Sequence, residues 1–395
     1  MANKPINSWK QQEFIVSAYH TRSGTKPEAL PKSFENIKKA GINLLIPCDI
    51  PTVEQELETF RLLEKVDLPY LAASKSVFCE KRIDSEEAFA AYVEAVKENK
   101  ACYGYYIWDE PKEEKFADIR YNCELVEKYA PGKATYVCLL PSYGPFYWEQ
   151  EDNSGTYCKH VDDFCEIARP AILSNDYYPY SDEDTDLVCH NIWRDTGYLR
   201  LKSLECNIPY WHVFQAICGL YDHSYGHLTP EKIAVQMNCA LAHGAAGVSY
   251  FISTKILVDW DGEPSAIYNG LTRANKRVKA MGDQLLPATS VAVYHGGLEA
   301  DLRKKYYADD IADSAVLSSL PHKLLAGLFE APDGAKLLLI ANKDYKNAVC
   351  GEIGLRSDFA VSVFNTNNAF EPTDAAEGVL PVSVEPGGAV LYRLE

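Results

Sequence analysis

Residues 103–111, Tyr-Gly-Tyr-Tyr-Ile-Trp-Asp-Glu-Pro, carry an apolar, aromatic run into two adjacent carboxylates, Asp109 and Glu110, and stop at Pro111. Such a pair suits general acid–base work, in which one carboxyl holds a proton and its neighbour tunes it. It also suits the first turn of a helix, where acids meet the positive end of the dipole and proline fits the first position. A third acid, Asp176, follows another apolar run in Leu-Ser-Asn-Asp-Tyr-Tyr-Pro (173–179). Its alternative role is that of a turn former. His20, Asp49, His212, Gln215 and Trp260 also stand at or just beyond the ends of apolar runs, while Trp108 and Tyr178 flank the acids. Acids, amides and flat aromatic faces together are the chemistry of sugar binding and glycoside cleavage. His20 and His212 can equally be core histidines with satisfied nitrogens. The acidic loop Ile-Leu-Val-Asp-Trp-Asp-Gly-Glu-Pro (256–264) reads as a solvated lid, with Trp260 as a sugar platform.

Other chemistries lack their motifs. The chain has no H-E-x-x-H, no Walker loop and no G-x-S-x-G. His223 and His227 are four apart, but Gly226 and the loop composition around them point to a loop rather than a metal pair. The 12 cysteines are scattered without metal-binding C-x-x-C spacing. Several fall inside apolar segments (Cys102, Cys138, Cys123, Cys239), which reads as buried free thiols in a reducing compartment. No metal or organic cofactor is implied.

Positioning these groups requires a scaffold. Short apolar segments at 14–19, 43–48, 69–74, 102–108, 135–140, 171–176, 210–217 and 247–253 read as strands buried on both faces. Helical patterns separate them. One starts at Asp84 as cap, with Glu87 three residues on, and puts Phe89, Tyr92, Val93 and Val96 on one face. Another opens with Thr229 and Pro230 and ends at Gly244, and a long one runs from Leu271 to Leu285. Residues 58–66 and 117–130 are amphipathic as well. Eight β-then-α units predict a (β/α)₈ TIM barrel over residues 1–285, with its active site at the C-terminal ends of the strands. A doubly wound sheet would bring a glycine-rich loop after the first strand, and 19–31 contains none. Residues 286–395 change texture. Short strands separated by Pro-Asp-Gly and Glu-Pro-Gly-Gly turns, with no helix among them, predict a C-terminal antiparallel β-sandwich.

Bulk composition agrees. The chain has 395 residues, 47% of them hydrophobic and 24% charged, enough for a large core and a second, smaller unit. The formal net charge of −17 argues against nucleic acid, an anionic membrane surface or strongly anionic substrates. It fits a neutral or cationic ligand. The N-terminal residues show no apolar signal core, and no run of about 18 apolar residues occurs. A cytoplasmic location is expected. Nothing in the sequence specifies an oligomeric state.

The segment Gly-Tyr-Tyr-Ile-Trp-Asp-Glu-Pro resembles the G-[aromatic]-x-x-D-E-P of clan A-like glycoside hydrolases, including bacterial relatives of the family 42 β-galactosidases. Ser-Asn-Asp-Tyr-Tyr-Pro at 174–179 is similar to their [S/T]-x-D-x-Y-P element, and Leu-Ala-His-Gly-Ala-Ala-Gly-Val-Ser-Tyr-Phe at 241–251 is similar to their approach to strand eight. The resemblance implies a glycosidase with a carbohydrate substrate and Glu110 as general acid or acid/base. It also implies a nucleophilic glutamate at the end of strand seven. Here that segment reads Tyr-Trp-His-Val-Phe-Gln, with Gln215 where an acid is expected. Three substitutes are available: Asp176 as nucleophile or base, a 2-acetamido group of the substrate oriented by Asp109, or an acid from the Asp259–Glu263 loop. A barrel that binds carbohydrate without cleaving it, and another carbohydrate-active enzyme such as a lyase or transglycosidase, are the rival readings.

Overall fold

The structure is a computed structural model that describes residues 5–49, 51–144, 153–180, 191–217, 228–373, 375 and 377–395. Eight parallel strands form one sheet: β1 (Ile15–His20), β2 (Leu44–Pro47), β3 (Tyr70–Ala72), β4 (Cys102–Asp109), β5 (Ala134–Cys138), β6 (Leu173–Tyr177), β7 (Tyr210–Gln215) and β8 (Gly247–Phe251). Their order is β5-β4-β3-β2-β1-β8-β7-β6, so the ladder runs round from β1 to β8. The remaining seam lies just beyond β5. There the Leu139 N–H donates to Ser174 O (2.9 Å) and the Asp176 N–H to Leu139 O (3.2 Å). The barrel therefore closes at the level of Asp176.

Helices follow the strands as the sequence predicts: α1 (Leu30–Lys39), α2 (Val53–Val66), α3 (Glu86–Val96), α4 (Phe116–Tyr129), α5 (Asn153–Asp163), α6 (Asn191–Cys206), α7 (Pro230–Ala242) and α8 (Tyr268–Leu285). The caps explain several starts. Thr52 and Gln55 form a reciprocal capping box on α2. Thr229 caps α7, with Pro230 at its first position. For α3 the cap is Ser85, not Asp84: its hydroxyl accepts from the Ala88 N–H, and the shorter side chain sits one residue nearer the first turn.

Beyond Leu285 the chain forms two antiparallel sheets and one short helix, α9 (Ala300–Lys305), where the sequence pattern had suggested none. Its six residues are too few to show a helical period. The strands are β9 (Thr289–His295), β10 (Leu317–Ser319), β11 (Leu324–Glu330), β12 (Lys336–Asn342), β13 (Val349–Leu355), β14 (Val361–Phe364), β15 (Phe370–Pro372), β16 (Val379–Val384) and β17 (Ala389–Leu394). Six of them pair as β15-β14-β17-β12-β11-β9 and three as β10-β13-β16. Strand β12 is apolar on both faces, and the reason is visible in its packing. Leu338 and Ile340 join the core between the two sheets, while Leu337, Leu339 and Ala341 join the barrel core. Helix α7 lies between barrel and sheet, which explains why ten of its thirteen residues are buried. Among the described residues no helix is long and apolar enough to cross a membrane. The ten described cysteines are free thiols, with Cys102, Cys138, Cys123 and Cys239 buried.

Candidate active site

The end of β4 does not follow simple alternation. Tyr106 pairs with Tyr136, but Trp108 pairs with Val137 and Asp109 with Cys138, so Ile107 is an extra residue. A one-residue slip moves every later side chain to the opposite face. The bulge thus puts Asp109 on the face of Tyr136 and Cys138, and turns Trp108 to the other. The next residue, Glu110, has φ +42°, in the left-handed region, and its N–H donates to Cys138 O (2.8 Å). For a residue with a side chain this conformation costs about 1 kcal/mol or more. Pro111 follows and itself disfavours the right-handed conformation at Glu110. Bulge, pairing and proline together aim two consecutive carboxylates.

Asp176 joins them from β6. It is 5% exposed, its Oδ1 has no hydrogen-bond partner, and its carboxylate is engaged by the Tyr178 side chain. Burial pushes Asp176 well above the usual carboxylate range, and the charges of Glu110 and Asp109 push it further. Glu110 is raised to about 7, by burial and then by Asp109. Asp109 is open to solvent but hemmed in by the protein around it. That crowding raises it to about 6 against a lowering hydrogen bond from Tyr106. With Asp109 raising Glu110 and both raising Asp176, the three carboxyls cannot all ionise together near neutrality, so the cluster retains a proton there.

Neighbouring elements hold this cluster in place. Tyr143 Oη accepts from the Tyr178 N–H (3.0 Å), and the Tyr178 ring stacks on Phe251 at the end of β8 (5.3 Å, 24°). The Tyr143 loop is tied to α6 through the Ser142 N–H, which donates to the buried Asp195 (2.9 Å). From the loop after β3, Lys75 pairs with Glu80 (2.9 Å), and both act electrostatically on Asp109. Tyr106, Cys138, Tyr143, Phe251, Lys75 and Glu80 are site residues that sequence reasoning missed. Phe251, at the end of an apolar strand, carried the one readable signal among them.

The structure gathers Asp109, Glu110, Asp176 and Tyr178, but not the other six candidates. Trp108 is turned away by the bulge. His20 packs edge-on against Phe34 of α1 (5.5 Å), with Nδ1 bound to Ser253 Oγ (3.0 Å), and burial holds its pKa down at about 4. His212 is fully buried, bonded through Nδ1 to Tyr210 Oη (3.0 Å), and held neutral with a pKa of about 3 by burial and by His243. Asp49 accepts from the backbone N–H groups of Arg22 (2.6 Å) and Ser23 (2.5 Å), anchoring the loop after β1. The Trp260 ring lies over Gly24, where any Cβ would meet it at 2.1 Å, so it clasps that loop. The acids beside Trp260 are engaged too. Asp261 pairs with Lys26, Glu263 with Lys32, and Asp259 accepts from two N–H groups of its own turn.

Gln215 is the most informative of the six. Both hydrogens of its amide are donated to backbone carbonyls, of Tyr180 (3.0 Å) and Ile217 (3.0 Å), and its oxygen accepts from the Tyr180 N–H (2.8 Å). The side chain rivets the β6 loop to the end of β7 and has no hydrogen left for a sugar. His223 and His227 lie outside the described residues. Among the described residues no three His, Cys, Asp or Glu side chains form a group able to hold a metal ion.

No protein-family model matches the chain, and no curated protein matches it. Solved structures do. A provisionally assigned alpha-galactosidase/melibiase from Bacteroides fragilis superposes with a TM-score of 0.58 at 9% identity, over 97% of this chain and 79% of that one. A family 51 alpha-L-arabinofuranosidase from Bifidobacterium longum superposes with a TM-score of 0.52 at 12% identity, over 100% of this chain and 97% of that one. The likeness is one of fold. It extends through the C-terminal sheets as well as the barrel.

Proposed function

We propose that the chain is a glycoside hydrolase acting at the C-terminal mouth of the barrel, with Glu110 as general acid and Asp176 as second carboxylate. The observation that carries this reading is the cluster itself, in which burial raises all three carboxyls, Asp109 raises Glu110, and both β4 acids raise Asp176 at the end of β6. A proton donor must be protonated at working pH, and a pKa of about 7 meets that need for Glu110. Glu110 gives its proton to the glycosidic oxygen as the C1–O bond breaks. In the cluster form in which Glu110 holds the proton and Asp176 is ionised, Asp176 attacks C1 as that bond breaks or deprotonates the attacking water. In the first case Glu110 removes a proton from the water that releases the sugar. The Tyr178–Phe251 stack offers a flat wall for a pyranose ring. The motifs at β4, β6 and β8 support kinship with family 42-like enzymes, and the names of the structural neighbours point to the same reaction class.

One observation favours a second reading. Asp109 ionises more readily than Asp176, whose burial is more complete. An ionised Asp109 can orient a 2-acetamido group whose oxygen attacks C1 in place of Asp176. Turnover of a panel of nitrophenyl glycosides, followed by NMR of the released sugar, tests both. Release of a hemiacetal from 2-hydroxy glycosides supports Asp176, and release from 2-acetamido glycosides alone supports Asp109. An unsaturated sugar would mean elimination. Oligosaccharide binding without any turnover would make the barrel a non-catalytic binder and end the proposal.

A further inference from the structure

A cavity of about 400 Å³ lies between α6, the turn after β9, α9 and the turn after β12, and shares no residue with the carboxylate cluster. Ligand cavities of this size combine an apolar wall with a few polar groups that fix orientation. Here Trp193, Leu298 and Tyr306 supply the wall, and Lys343 and His295 the polar groups. From this we infer that the cavity binds a small organic anion, a carboxylate or phosphate carried on a body of about monosaccharide size.

The charge pattern is the reason. Among the described residues Asp344 is the one acid in the cavity lining, and its oxygens are already occupied. One takes Lys323 (2.6 Å) and the Asn347 amide (3.2 Å), and the other the N–H groups of Lys346 (2.8 Å) and Asn347 (3.1 Å). Among the described residues no carboxylate pairs with Lys343, and burial lowers its pKa to about 8. Its charge reaches the neighbouring histidines, since it helps to hold both His295 and His243 neutral. His295 is 9% exposed and its Nε2 has no hydrogen-bond partner. A half-buried cation with no carboxylate partner, in one cavity wall with an imidazole nitrogen that has no partner, is an arrangement that an anion relieves. Gly297 in the cavity wall has φ +71°, and a Cβ there would stand 2.1 Å from the His322 ring, so the turn packs directly on that ring.

Calorimetric titration of the full chain with glucuronate, inorganic phosphate and neutral glucose tests the inference. Saturable binding of glucuronate or phosphate is expected, weakened about tenfold or more by Lys343→Met and left unchanged by Glu110→Gln. Binding of phosphate alone would mark a phosphorylated ligand, and of glucuronate alone a carboxylated one. Lys343→Gln, which keeps a polar end, serves if the methionine variant does not fold. If neither anion binds, if binding survives both Lys343 substitutions, or if glucose binds as tightly through Lys343, the inference is wrong.

Discussion

The ends of β4 and β7 occupy equivalent positions in the barrel and treat their polar groups in opposite ways. At β4 the chain accepts a bulge and a left-handed glutamate, and leaves Asp109 and Glu110 crowded by each other and by Asp176. At β7 Gln215 makes three hydrogen bonds to the backbone of its neighbours, and Gln236 bonds both its N–H and its C=O (3.0 Å each). Reactive groups are those whose preferred partners are withheld, while a satisfied amide is a fastener. Where the resemblance implies an acid at β7, the position is given to structure.

The largest effect should come from removing the proton at β4. Glu110→Gln should lower kcat on alkyl glycosides by about 10²- to 10⁴-fold, the range for loss of a general acid. Aryl glycosides with good leaving groups should suffer less. The variant should keep its fold. Glu110 and Asp109 have folded-state pKa values raised above those of the unfolded chain, so the stability tied to their protons is present below about pH 4. It is lost as pH rises through about 6 to 7. Urea unfolding of the wild type should therefore show a falling midpoint from pH 5 to pH 8, and Glu110→Gln a flatter one. Undiminished turnover by the variant would remove Glu110 from the mechanism.

The converse change at β7 should act on stability rather than rate. Gln215→Glu restores the acid that the resemblance implies, but it turns a carboxylate toward the carbonyls of Tyr180 and Ile217 and removes both donated hydrogens. A cost of about 1–3 kcal/mol in urea unfolding is expected, with no gain in turnover. A rise in activity at unchanged stability would show that the two strand ends are interchangeable, and the contrast between them would fail.

This contrast also marks what could be read from the sequence. Eight buried strands were legible because each is a short apolar block between turn or helix signals, and caps such as Thr229 and Pro230 fixed helix starts. Among the site residues, Asp109, Glu110, Asp176 and Tyr178 come together as their strand-end positions suggest. His20 and Trp108 lie away from this cluster for a common reason. A position at the end of a strand does not say which face the side chain takes, and a shift of one residue decides it. His20 follows the inward Tyr19 by one residue and so faces α1. Trp108 is turned by a bulge that leaves no mark in composition. Gln215 and Asp49 differ, because their partners are backbone groups on other loops, which no spacing reveals. Lys75 and Glu80 were invisible because β3 is only three residues long and its loop carries no motif.

The finest test of the contrast separates the two acids at β4. Asp109 should be ionised over the pH range in which Glu110 titrates, since the first lies at about 6 and the second at about 7. Its negative charge then opposes ionisation of Glu110 and helps to keep the proton on. Removing that charge by Asp109→Asn should let Glu110 lose its proton at lower pH. The alkaline limb of kcat/KM should move acidward, by less than about one pH unit, because burial is the larger cause of the raised value. The pH profile separates this electrostatic role from the orienting role of the substrate-assisted reading. A tuning residue shifts the limb on every substrate that turns over. An orienting residue in addition lowers the plateau on 2-acetamido glycosides.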